Sequence, residues 1–172
     1  MSLYSLDKLI AQARKLASEY RKTTGKPLAG VSVEIAEYDA ARLLNLELSK
    51  PGAGGYDAIG RGRREGKRIQ IKGRTIFDEA QKGQRIGQLR VDQTWDTVVL
   101  VLMDEEHEPY EIYEADREAL LDDLKEVQHS QRAKRGAMSV AKFKNLGHLV
   151  WTREEGLIEE EVWSNQAEGN PR

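Results

Sequence analysis

At the start of the chain, apolar positions repeat with the period of a helix. Leu6, Ile10, Ala13 and Leu16 share one face of a segment from residue 5 to 23, with Ser5 placed to cap it and "TTGKP" to stop it. In "VSVEIAEYDAARLLNLEL" a second stripe is made by Val33, Ala36, Ala40, Leu43 and Leu44, and "SKPGAGG" ends it. The pattern then turns extended. Short strands are predicted near 56–60 and 67–74, joined by a polar turn rich in glycine and arginine. "FDEAQKGQRIGQLRVDQTW" has no clean period and reads as a loop holding at most a short helix or strand. "DTVVLVLMD" is continuously apolar, as expected of a strand buried on both faces, and "PYEIYEA" follows across the turn "EEHE" to make a second hairpin. "DREALLDDLKEV" and "SVAKFKNLG" read as helices, the latter capped by Ser139, "LVWT" as a short strand, and 164–172 as a frayed tail. The order α, α, β, β, β, β, α, α predicts an α/β or α+β fold: one domain over residues 1–163, a central sheet flanked by helices.

Composition narrows the classes. A chain of 172 residues with 39% hydrophobic content supports one core and is short for two ordinary domains. Cysteine is absent, which removes disulfides and thiolate metal sites. No apolar run approaches the roughly 20 residues that span a bilayer, and "MSLYSLDKLIAQARKLASEY" lacks the apolar centre of a secretory signal. A cytoplasmic protein without a membrane partner is expected. The formal net charge is −2, so affinity for a polyanion has to come from local clustering.

Two clusters stand out. Arg61, Arg63, Arg64, Lys67, Arg68 and Arg74 crowd "GYDAIGRGRREGKRIQIKGRT", and Arg132, Lys134, Arg135, Lys142 and Lys144 crowd "HSQRAKRGAMSVAKFKNLG". Both suit phosphate contacts along one groove, and the simpler reading of each is a solvated turn or helix face. Gln81, Lys82, Gln84, Arg85 and Gln88 form a polar loop of residue types that reach base edges.

Side chains alternate across a strand, so in "RIQIKGR" Ile69 and Ile71 face one way while Gln70 and Lys72 face the other. If the preceding strand pairs in the register its turn suggests, Asp57 lies beside them. A carboxylate, an amide oxygen and the carbonyl of Ile71 are three hard oxygen ligands of the type Mg²⁺ takes, with Lys72 next to a metal-bound water. The simpler reading is a surface pair between Lys72 and Asp57, worth at most about 1 kcal/mol. Against it, a lysine directly after Ile71 on a buried-looking strand wants a partner.

Asp57, then Gln70-Ile71-Lys72 on the next strand, after a helix bearing a glutamate, resembles the PD-(D/E)XK phosphodiesterase superfamily, the fold of many restriction endonucleases and Holliday junction resolvases. The resemblance covers roughly residues 30–125 and implies a restriction-endonuclease-like core that cleaves DNA phosphodiesters with Mg²⁺ or Mn²⁺. It assigns metal ligation to Asp57 and Gln70, and positioning or activation of the attacking water to Lys72. The helix glutamate is Glu37 or Glu34, three apart on one helical face. Glu37 is favoured because "AEYDAARLL" sets it among small residues that let the helix lie close to the sheet. This chain departs from the family pattern at Tyr56, where proline is usual, at Gln70, where an acid is usual, and in its second hairpin, where the simplest core has a helix.

Two rivals belong to other classes. An inactive nuclease-fold domain that only binds DNA is motivated by the uncharged Gln70. A protein-interaction domain is motivated by the acidic "REEGLIEEEVW". Cutting both strands of a duplex usually needs two active sites, so a homodimer is compatible with the first reading. "GAGG" and "GRG" lack the strand-before, helix-after context of a phosphate-cradling loop, so no nucleotide cofactor is expected. His107, His129 and His148 lack metal-ligand spacing, and Trp95, Trp151 and Trp163 are too dispersed for a stacking platform.

Overall fold

The computed structural model describes residues 5–50, 54–77, 84–126 and 137–158. At its centre lies β5 (Thr97–Met103), every residue of which is buried. The reason is its apolar run. Val99, Val101 and Met103 point to one face of the sheet, Val98, Leu100 and Leu102 to the other, and a separate core covers each. β5 pairs parallel with β3 (Arg68–Thr75) and antiparallel with β6 (Pro109–Asp116), so the sheet is mixed. Its full order is β1-β2-β3-β5-β6-β8-β9, with β1 at Leu46–Leu48, β2 at Ala58–Gly60, β8 at His148–Thr152 and β9 at Gly156–Leu157. A small second sheet pairs β4 (Arg85–Gln88) with β7 (Ala137–Ser139).

Helix α2 (Val31–Leu44) covers one face, placing Ile35, Ala36, Ala40 and Leu44 against Ile69, Ile71 and Val99. It lies close because the contact is between small residues. A Cβ at Gly73 of β3 would overlap the Cβ of Ala36. The opposite face is closed by α3 (Arg117–Glu126), α4 (Val140–Leu146), the β4/β7 pair and the loop before β5, through Leu120, Phe143, Ile86, Met138 and Trp95. The expected mixed α/β architecture, a central sheet between helices, is therefore present, and the predicted caps are too: Ser5 accepts from Lys8 N and Ser139 from Lys142 N.

Two helical expectations are corrected. In α1 (Leu6–Thr24) only part of the predicted stripe faces the core: Ala13 packs against it and Ile10 is half-buried, but Leu6 and Leu16 are 59% and 60% exposed, while Arg14, Ala17 and Ser18 are buried. The anchor is ionic. The Arg14 guanidinium binds the buried Asp39 carboxylate of α2 and the carbonyl of His107 at 2.6 Å, and that pairing sets the rotation of α1. In α2, Val33 is exposed and Ile35 takes the inward place, and the helix ends at Leu44 because Asn45 turns left-handed (φ 56°). "LEL" then becomes β1, pairing Leu46 with Gly60 at the sheet edge. The non-periodic segment contains a short strand, β4, as its reading allowed, while β7 and β9 are additions that the pattern did not announce. The predicted tail at 164–172 lies outside the described residues. Among the described residues, no helix is long and apolar enough to cross a membrane.

Candidate functional site

The site begins where β2 and β3 part. Their ladder holds only Ala58↔Ile69 and Ile59↔Arg68. One residue earlier, Asp57 still donates its backbone N–H to the Ile69 carbonyl at 2.8 Å, and its side-chain oxygen accepts from Ile71 N–H at 2.8 Å. A carboxylate thus replaces the next rung of backbone. Because the N–H and C=O of one strand residue share a side, the Ile71 carbonyl is directed to the same edge. Beyond Ile71 that edge borders a cavity of about 460 Å³, walled by Glu37 of α2, Gly55 to Asp57, Gln70 to Arg74, and Arg90 and Gln93.

Within it the polar groups are poorly satisfied. Gln70 is 3% exposed; its amide nitrogen donates to the Gly55 carbonyl at 3.1 Å, which fixes which atom is the oxygen, and Oε1 has no hydrogen-bond partner. A buried acceptor left unpaired costs on the order of 1–3 kcal/mol, so the position is one where a cation or donor gains. Glu37 is pushed up to about 7 by burial first and then by the charges of Asp57 and Glu34. Burial lowers the pKa of the Lys72 ammonium, opposed by Asp57 and reinforced by Arg74 and Arg90. Lys72 Nζ donates to the Gln88 carbonyl at 3.0 Å rather than pairing with Asp57, so the simple surface-pair reading does not describe it. Arg74 is tied to the Arg85 and Gly73 carbonyls, and burial depresses its pKa as well.

These residues fit a divalent ion. Two carboxylates, of which Asp57 raises the pKa of Glu37, an orphaned amide oxygen and a backbone carbonyl form an oxygen donor set for a hard cation. The set depends on the amide, because among the described residues no three His, Cys, Asp or Glu side chains gather at one point.

The cation cluster needs correcting. Of the six basic residues expected around Asp57, only Arg74 lines this cavity. Arg61, Arg63, Arg64 and Lys67 line a separate one of about 420 Å³, and Arg68 pairs with Asp96 at 3.1 Å. The cause is distance along the strand. Their turn precedes β3, and Lys72 lies four residue steps along the strand from Arg68, a span of about 13 Å. Glu34 is exposed and does not line the site, though its charge is felt by Glu37. Arg132, Lys134, Arg135, Gln81 and Lys82 lie outside the described residues. Lys142 pairs with Asp123 at 2.9 Å, and Lys144 sits over the Tyr113 ring.

Arg90 and Gln93 were missed by sequence reasoning. They come from the segment without periodicity, where a polar residue has no face by which to be placed, and the Gln93 amide oxygen is also buried without a partner. No protein-family model matches the chain, and no curated protein matches it.

Proposed function

We propose that the Asp57 cavity is the active site of a metal-dependent deoxyribonuclease built on a restriction-endonuclease-like core. The observation that carries the reading is the convergence of Glu37, Asp57 and Gln70, whose buried Oε1 has no partner, on one cavity beside a partly buried lysine. With the Ile71 carbonyl, those three would hold Mg²⁺ or Mn²⁺. Such an ion, when bound, supplies a water of lowered pKa and stabilises charge on a phosphoryl oxygen.

The protein's own residues do the rest. The Ile71 N–H fixes the Asp57 carboxylate in place, so its orientation is prepaid by the fold. Lys72, anchored on the Gln88 carbonyl and with its ammonium weakened by burial, is placed to hold or release a proton at Nζ beside the attacking water. Arg74 and Arg90 supply positive charge for the phosphates flanking the cleaved bond.

The test is cleavage of linear, supercoiled and branched DNA in Mg²⁺ or Mn²⁺ against EDTA. Asp57→Asn keeps an oxygen that accepts from Ile71 N–H and so isolates the charge. We expect that variant and Lys72→Ala to lose about a hundredfold or more in rate, with unchanged circular dichroism. Cutting at the parental rate by either overturns the assignment. One observation favours a second reading, a DNA-binding domain without hydrolysis: Gln70 brings no charge to the donor set. Salt-dependent DNA binding with no heat on Mg²⁺ or Mn²⁺ titration would select it.

A further inference from the structure

The "GRG" turn, which fails as a phosphate-cradling loop, builds something else. Between β2 and β3 the chain closes on itself through backbone hydrogen bonds: Gly60 N–H to the Lys67 carbonyl at 2.8 Å, Lys67 N–H to the Arg64 carbonyl at 2.9 Å, and Gly66 N–H to the Gly60 carbonyl at 3.2 Å. Two sequence features make this closure possible. A Cβ at Gly60 would overlap the Arg64 carbonyl oxygen, and Gly62 and Gly66 take positive φ of 61° and 74°. The turn is therefore a defined wall, and it presents four cations to the cavity of about 420 Å³ behind it.

Their charges are not equally committed. Arg64 donates from Nε to Glu114 at 2.9 Å, a pair whose side chains are 14% and 7% exposed, so Glu114 is neutralised inside the cavity. Arg61 is held by Glu47 at 2.6 Å in solvent. The Arg63 and Lys67 side chains are exposed, and neither makes a hydrogen bond or ion pair among the described residues, although the Lys67 charge also acts on Asp96. They set the field at the mouth. The rest of the lining has an apolar part that includes Leu44, Val150 and Leu157, and a polar part made by Asn45, His148 and Asp116, the last an exposed carboxylate.

We infer that this second cavity is a binding site for a nucleoside monophosphate, with the phosphate on Arg63 and Lys67 and the nucleoside against the apolar wall. The mixed lining decides the ligand class. A bare inorganic anion would use the cations and gain nothing from an apolar wall or from Asp116. A nucleoside phosphate uses all three, since it joins an anion to a flat, weakly hydrated ring that carries N–H donors, and the volume falls in the range of small-molecule pockets. The two cavities share no lining residue. The same chemistry is available from a free mononucleotide or from the phosphorylated end of a strand.

Calorimetric titrations in EDTA, which keep hydrolysis out of the readout, test it. The full chain is titrated with inorganic phosphate, a deoxynucleoside 5′-monophosphate, the matching deoxynucleoside, and one oligonucleotide with and without a 5′-phosphate. We expect the monophosphate to bind at least about tenfold more tightly than either phosphate or the nucleoside. The double variant Arg63→Ala, Lys67→Ala, checked for folding by circular dichroism, should lose at least about tenfold in that affinity, while Asp57→Asn leaves it unchanged. Displacement of the mononucleotide by the 5′-phosphorylated oligonucleotide but not by its 5′-hydroxyl form assigns the site to strand ends, and displacement by neither assigns it to free nucleotide. No binding of the monophosphate, equal binding by phosphate alone, or undiminished binding by the double variant overturns the inference. None of these results depends on whether Asp57→Asn still cuts DNA, so the two proposals fail separately.

Discussion

Gln70 and Glu37 carry opposite faults, one an acceptor without a donor, the other a carboxylate that is hard to ionise. Glu37 has a folded-state pKa of about 7 against 4.5 for the free side chain. A raised carboxylate pKa means that the folded state binds the proton more tightly, so the contribution is favourable below 4.5 and is lost as pH rises through 7. In EDTA, Glu37→Gln should therefore be more stable than the parent above pH 7, with the difference vanishing below pH 4.5. Because Glu37 is only partly buried, solvent screening holds that gain to about 1 kcal/mol. Thermal unfolding at the two pH extremes reads it, and a parent more stable than the variant at pH 8 would contradict the assigned shift. Gln70→Glu should do the reverse. It adds a third acid to the donor set, so it should tighten Mn²⁺ binding while lowering metal-free stability by roughly 1–3 kcal/mol through an unpaired buried charge. Unfolding with and without Mn²⁺ separates the two effects, and a variant whose stability ignores the ion would count against a metal site here.

At the scale of elements, the position of α2 decides whether Glu37 meets Asp57. That helix touches β3 through Ala36 and Gly73 with no room for another carbon. Gly73→Ala should lift α2 from the sheet and cost about 1–3 kcal/mol, measured by denaturant unfolding. It should also depress cleavage more than its stability loss explains, because Glu37 moves with the helix. α1 is held differently. Arg14 is the counter-charge of the buried Asp39, which otherwise keeps only the partly exposed Arg42 at 3.0 Å. Arg14→Ala should destabilise the fold by about 3 kcal/mol, since removing one partner leaves a carboxylate buried with too little compensation. Leu16→Ala on the exposed side should cost under about 0.5 kcal/mol. A larger loss at Leu16 than at Arg14 would restore the apolar stripe as the docking face.

On the scale of the whole molecule, protection should fall outward from the centre of the sheet. β5 is flanked by strands on both sides and by a core on both faces, whereas β1 and β9 are edge strands of three and two residues. Native-state hydrogen exchange should find the slowest amides at Val98 to Leu102 and fast exchange at Leu46 to Leu48 and Gly156 to Leu157. Equal protection at centre and edge would argue against the strand order. The same layout puts the two cavities at different places along β3, one at the β2/β3 split and one behind the turn that precedes the strand.

Much of this was legible in local pattern. The strands "RIQIKGR" and "DTVVLVLMD", the caps Ser5 and Ser139, and the alternation that separates Ile69 and Ile71 from Gln70 and Lys72 follow from chain geometry, which acts over a few residues and is written in the order of side chains. The aspartate, glutamine and lysine of the candidate site were found in this way, because two adjacent strands joined by a short turn bring their residues together almost regardless of the rest. What tertiary structure alone decided is of longer range. It turned Arg14 rather than Leu16 inward, brought Arg90 and Gln93 to the site, and sent Arg61, Arg63, Arg64 and Lys67 to a different cavity. Each of those outcomes depends on a contact between segments far apart in the chain, such as Arg14 with Asp39 and His107, or Ala36 with Gly73. Periodicity within one segment carries no information about which distant group will complete a pair.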